Sequence, residues 1–157
     1  MDDPTLMLSA STAPAGELRC RGVRGATVAT ANTRQAIREA ILELVQKIIE
    51  CNAIDPDDLA SAMFTTTPDL DAAFPAEAIR HMGWEFVPML GAVEMAKPGA
   101  PEMCIRVLLL WNTVHGPRDI AHVYLRGTEV LRTAGVAGDE EFRGRDAAPA
   151  TVEGDTK

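Results

Sequence analysis

The stretch "MCIRVLLLW", residues 103 to 111, narrows the choice of fold more than any other segment. Every residue in it except Arg106 is apolar or a thiol, and Val107 to Trp111 runs without a break. A run this short and this apolar predicts a strand buried on both faces. Such a strand belongs inside a sheet whose two sides are both covered, by the chain's own helices or by other subunits. A guanidinium in that position is costly unless it is paired or has chemistry to perform.

The rest of the chain supplies covering for one side. Leu18 to Val28 predicts a first strand that bends at Gly25. Asn32 or Thr33 then caps a long helix in which Ile37, Ile41, Leu44, Val45, Ile48 and Ile49 share one face. Asn32 with Gln35 fits a capping box, and Cys51-Asn52 ends the helix. "DPDDLAS" from Asp55 predicts another helix, with Pro56 in its first turn. Met63 to Thr67 predicts a strand, and Pro75 to Arg80 a short helix closed near Gly83. Trp84 to Val93 and Met103 to Thr113 predict two further strands joined by the loop "KPGAP". Pro117 is expected to start a last helix reaching Tyr124, and Glu129 to Arg132 a final short strand.

Residues 1–17 and 134–157 lack periodicity and are expected to be flexible tails around one domain over 18–133. The fold class is α/β (α+β): a single-domain mixed sheet with helices on one face. The other face has too few helices to cover it, which predicts an oligomer whose sheets pack on one another.

Composition bounds the function. With 46% hydrophobic and 24% charged residues in 157, the chain has an ordinary globular composition. A formal net charge of −8 disfavours nucleic acid and acidic membranes as partners. No apolar run approaches the ~20 residues that span a bilayer. The start Met1-Asp2-Asp3-Pro4 is acidic where a secretory signal is basic. The odd set Cys20, Cys51 and Cys104, without CxxC, fits free thiols in a reducing compartment, so the expected location is the cytoplasm. His81, His115 and His122 do not combine with the cysteines at zinc-like spacing, and neither GxGxxG nor GxxxxGK[ST] occurs; no metal and no nucleotide cofactor is expected.

Four polar residues stand in apolar surroundings: Arg24, Glu94, Arg106 and Tyr124. An Arg106–Glu94 ion pair of purely structural purpose is one reading. A convergent set of two arginines, a carboxylate and a phenol that binds an anionic ligand is another. Spacing does not choose between them.

"RCRGVRGATVATANT", "TTTPDLDAAFPAEAIR", "GWEFVPMLGAVEM", "CIRVLLLWNT" and "HVYLRGTEVLR" occur in an order and spacing that resemble the AroH-type chorismate mutases, over residues 18 to 132. The resemblance implies a homotrimer forming a pseudo-α/β barrel, with active sites between subunits. It implies the pericyclic conversion of chorismate to prephenate, on the route to phenylalanine and tyrosine, without cofactor or covalent intermediate. It casts Arg106, Glu94 and Arg24 as catalytic residues: Arg106 the cation at the breaking ether oxygen, Glu94 the partner of the ring hydroxyl that also holds an arginine, Arg24 a carboxylate and hydroxyl-side contact. Tyr124, Arg80, Phe74, Met89, Leu90, Gly91, Leu131 and Arg132 match substrate-binding positions, with Phe74 and Arg80 reaching in from the neighbouring subunit. Gly91 replaces a frequent cysteine, Glu77 stands where lysine is expected on the rim, and "HMG" at 81–83 is one residue short. A non-catalytic trimer that binds a small carboxylate as a regulator would use the same arginines.

Overall fold

The structure, a computed structural model, describes residues 16–132. The tails expected over 1–17 and 134–157 lie, except for Gly16 and Glu17, outside the described residues. Five strands form one mixed sheet: β1 (Arg19–Val28), β2 (Leu59–Thr66), β3 (Met89–Val93), β4 (Cys104–Thr113) and β5 (Val123–Tyr124). Their order is β3-β2-β4-β1-β5. β4 runs antiparallel to both neighbours, β1 and β2, while the edge strands β3 and β5 pair in parallel with β2 and β1. The segment "CIRVLLLW" is therefore the central strand, as its composition requires.

Helix α1 (Arg34–Asn52) covers one face of the sheet. Thr33, in extended backbone, accepts from the Ala36 N–H and caps it. Ile37, Ile41, Leu44, Val45 and Ile48 are buried against Val23, Val107, Leu109 and Phe64 in the core cluster, while Ile49 is only half-buried. Gly25 lets α1 approach β1 closely: a Cβ there would stand 2.7 Å from Ile48 Cδ1 and 3.0 Å from Leu44 Cδ1. The shorter α2 (Pro75–Arg80) packs beside α1 and buries Ala78 and Ile79.

Several expectations are corrected. The capping box does not form, because the Asn32 amide is taken up by the next loop: its Oδ1 accepts from Asp71 N and Ala72 N. Asp55 caps only a 3-10 turn, Pro56–Asp58, since β2 begins already at Leu59 to pair with Trp111. Trp84 to Pro88 is not strand. Trp84 is buried in the core, Val87 N–H closes a turn onto its carbonyl, and Pro88, lacking an N–H, contributes only a carbonyl to Ala62 N. No helix follows Pro117, because Asp119 closes a turn on Gly116 and Val123–Tyr124 joins the sheet. Residues 130–132 form a helical turn rather than a strand; the Leu131 N–H returns to the Thr128 carbonyl.

The second face of the sheet is bare in the single chain. Along β4, Ile105, Val107, Leu109 and Trp111 are buried under the helices, while Arg106, Leu108 and Leu110 alternate to the other side. That side also carries Leu90, 61% exposed, and Met63, 41% exposed. "Buried on both faces" thus holds for one face of β4 within one chain.

Candidate active site

The register of the sheet explains how distant residues meet. Tyr124 pairs with Ala26, Ala26 with Arg106, Arg106 with Thr65, and Thr65 with Ala92, one row across five strands. Side chains directly across a sheet share a face. One pleat further along β3, just past its end, Glu94 shares the bare face and is held there by its N–H bond to the Thr66 carbonyl. In the adjacent row Arg24 pairs with Leu108, and Leu108 with Met63.

These residues line a cavity of about 220 Å³ that includes Arg24, Met63, Thr65, Glu94, Arg106, Tyr124 and Leu131. Glu94, Arg106 and Leu131 also border a wider groove of about 1040 Å³ along the 95–102 loop. Of the residues expected at the site, the cavity therefore gathers Arg24, Glu94, Arg106 and Tyr124 from the sheet and Leu131 from the 130–132 turn. Arg132 follows Leu131 in the helical turn, close enough for its charge to act on His122.

Glu94 Oε1 stands 3.3 Å from Arg106 Nε and accepts from the Thr65 hydroxyl at 2.5 Å. The Arg106–Glu94 contact is an ion pair without hydrogen-bond geometry, since buried Arg106 Nε has no hydrogen-bond partner. The Cys104 thiol lies beside the same guanidinium; burial pushes its ionisation up, although Arg106 pulls the other way. Burial outweighs the arginine, so the thiol stays neutral and leaves the Arg106 charge to Glu94 and to a ligand. The Arg24 guanidinium has no ion-pair partner among the described residues. Arg24, Arg106 and Arg132 against Glu94 leave a local positive excess on a negative chain. Such a site grips an anion with more than one carboxylate.

Other expected residues lie elsewhere in the single chain. Phe74, 74% exposed, borders a depression of about 70 Å³ between α1 and α2, together with Glu77 and Arg34. Arg80 is exposed at the end of α2. Met89, Leu90 and Gly91 run along β3 outside the cavity lining. Glu77 pairs with Arg34 at 2.7 Å, so its charge is not left unopposed. Gly91 is not required by sterics: a Cβ there would meet only the Phe64 carbonyl, at 4.0 Å.

Sequence reasoning missed Met63, Thr65 and His122. The first two follow from strand register: once Arg106 is opposite Thr65, both must share its face. Among the described residues, no group of three or more His, Cys, Asp or Glu side chains is placed to hold a metal, and no helix is long and apolar enough to cross a membrane.

Comparison with known proteins identifies the family. The family model described as chorismate mutase type I matches residues 20–134. A Thermus thermophilus protein named chorismate mutase AroH is 46% identical over 113 residues, covering 71% of this chain and 93% of its own length. The Bacillus subtilis (strain 168) protein of the same name is 41% identical over 113 residues, covering 71% and 89%. A solved structure, chorismate mutase from Clostridium thermocellum Cth-682, superposes with TM-score 0.69 at 43% identity, over 71% of this chain and 99% of that one. The chain belongs to the chorismate mutase type I family.

Proposed function

We propose that this chain is a chorismate mutase, an isomerase that rearranges chorismate to prephenate on the route to phenylalanine and tyrosine. Family membership supports the reaction. The observation that carries the site is the convergence of Arg24, Arg106, Tyr124 and Glu94 on one sheet face around one cavity.

The reaction breaks a C–O bond as a C–C bond forms, and needs no proton transfer. Catalysis then consists of holding the dianionic substrate in its compact conformer and stabilising charge that develops on the ether oxygen. Arg24, Tyr124 and Arg132 are suited to the carboxylates. Glu94, oriented by Thr65, is suited to the ring hydroxyl. Arg106, on the central strand of a packed sheet, is a fixed cation suited to the ether oxygen, and a fixed charge needs no reorganisation as the bond breaks. That is the purpose of an arginine within "MCIRVLLLW".

The active form in this reading is a homotrimer located in the cytoplasm. The bare apolar face of Leu90, Met63 and Leu110 supports association. So does the position of Phe74 and Arg80, which fall outside the cavity of their own chain and are free to serve a neighbour's. The test is direct: purified protein consumes chorismate, followed by its ultraviolet absorbance, and sediments as a trimer. Chorismate bound but left intact by the folded protein would instead favour a non-catalytic carboxylate-binding role.

A further inference from the structure

His122 stands immediately before β5 and takes no part in the chemistry described so far. Its Nδ1 lies 3.1 Å from the main-chain nitrogen of Arg24. A backbone N–H can only donate, so Nδ1 must carry the lone pair and the ring proton must sit on Nε2. β5 is two residues long and pairs Val123 and Tyr124 with Gly25 and Ala26, after which Leu125 N–H donates to the Ala26 carbonyl. The imidazole thus adds one rung to a very short ladder, at the residue of β1 that projects a guanidinium into the cavity.

The segment is anchored from behind as well. Asn52, buried at the end of α1, accepts from Ala121 N at 2.8 Å and donates to the Ala121 carbonyl at 2.9 Å. His122 is the next residue, and Tyr124 follows two later. One short segment therefore sets both the Arg24 main chain and the Tyr124 phenol.

We propose that His122 is a positioning residue of this site: its neutral imidazole, accepting at Nδ1 from Arg24 N–H, holds Arg24 and Tyr124 in register, and its protonation releases them. A protonated ring would set an N–H against an N–H, and the 3.1 Å contact could not persist. The charged groups acting on the ring are Arg24 from β1 and Arg132 from the 130–132 turn, both cations. Burial first, then these two charges, hold the imidazole below its ordinary range, consistent with the acceptor role that the geometry demands.

This rests on Arg24 being a substrate contact, and the experiment separates the two. kcat and KM for chorismate are measured between about pH 5 and 8 for the wild type, His122→Asn, His122→Leu and Arg24→Ala. The rearrangement transfers no proton, so an acid limb in kcat/KM reports groups of the free enzyme. In the wild type KM rises as pH falls below the ordinary imidazole value of ~6.5. Asparagine places an untitratable oxygen close to the position of Nδ1, so His122→Asn retains the wild-type KM and loses that limb. His122→Leu has no acceptor, and at every pH its KM stands roughly three- to tenfold above the neutral-pH wild-type value, the equivalent of one lost hydrogen bond. A limb that persists unchanged in His122→Asn, or a wild-type KM in His122→Leu, overturns the proposal. If Arg24→Ala loses substrate binding while His122→Leu does not, only the role of His122 falls. If Arg24→Ala keeps its KM, the assignment of Arg24 falls first. Nitrogen-15 imidazole shifts of the wild type need no variant to fold: a proton on Nδ1 at neutral pH would overturn the proposal, and a bare Nδ1 supports it.

Discussion

The Thr65 hydroxyl donates to Glu94 Oε1 at 2.5 Å, on the same carboxylate oxygen that stands 3.3 Å from Arg106 Nε. Thr65 lies opposite Arg106 in the β2–β4 ladder, so one strand register places both contacts. Glu94 follows the end of an edge strand, where a long side chain has several rotamers available. Thr65 selects the one that faces the arginine.

Thr65→Val removes that hydroxyl at nearly constant volume. The carboxylate then loses one charge-assisted hydrogen bond, and kcat/KM is expected to fall roughly tenfold. Thr65→Ser should restore most of it, because the donor returns. Steady-state kinetics on both variants, beside an unchanged circular dichroism spectrum, check this; equal losses in valine and serine would contradict it.

Gly25 concerns stability at the same strand. Its missing Cβ admits the tips of Ile48 and Leu44 of α1, so Gly25→Ala makes both side chains shift and crowds the Val123 carbonyl at 3.1 Å. Overpacking of this kind costs about 1–3 kcal/mol, and denaturant unfolding should show a lowered midpoint of that size.

How much of this was legible beforehand depends on where the signal was local. The α1 stripe from Ile37 to Ile48 and the central strand at Cys104–Thr113 were legible because burial imposes their periodicity residue by residue. "DPDDLAS" misled, since an Asp–Pro start serves a single 3-10 turn as well as a helix, and pairing of Leu59 with Trp111 decided the matter. Trp84 to Pro88 misled because an apolar run can bury a tryptophan in a turn as readily as in a strand. Of the site, Arg24, Glu94, Arg106 and Tyr124 stood out as polar residues in apolar surroundings, Leu131 came only from the resemblance, and all five line one cavity. Thr65, Met63 and His122 were invisible because their roles follow from cross-strand register, which a single sequence does not print.

Gly91 offers the opposite case to Gly25. It sits on edge strand β3 with room for a Cβ and without a positive φ. Glycine weakens a strand interior relative to alanine. Gly91→Ala should therefore raise unfolding stability by roughly 0.5–1 kcal/mol. A calorimetric comparison settles it, and a loss of stability would show that β3 needs the glycine.

Asp69 anchors the entrance to β4. Its carboxylate accepts from the Thr67 hydroxyl at 2.5 Å and, at 2.7 Å, from the N–H of Met103, whose own φ is 47°. The Thr67 bond, with Met103 helping and burial opposing, holds its ionisation below the ordinary carboxylate value. A depressed carboxylate contributes stability that is fully present above the unfolded-chain value of ~3.9 and is lost as pH falls through the lower folded value. Asp69→Ala should cost about 1 kcal/mol at neutral pH, limited by exposure. The gap from wild type should narrow in acid; a gap that is constant with pH would contradict the ionic role.

The most direct measurement of the whole account is kcat for Arg106→Ala in a trimer shown to be folded by circular dichroism and sedimentation. A cation that faces the ether oxygen interacts more strongly with the transition state than with bound chorismate, so its loss acts on turnover. Removing one preorganised oxyanion donor costs ~10²–10³ in rate, and a full charge at least as much. Arg106→Lys keeps the charge but not the planar fork, and should recover only part of it. For Arg106→Ala, kcat is expected to fall at least 100-fold below wild type. A near-normal kcat in the folded trimer would make Arg106 a structural partner of Glu94 and contradict the mechanism.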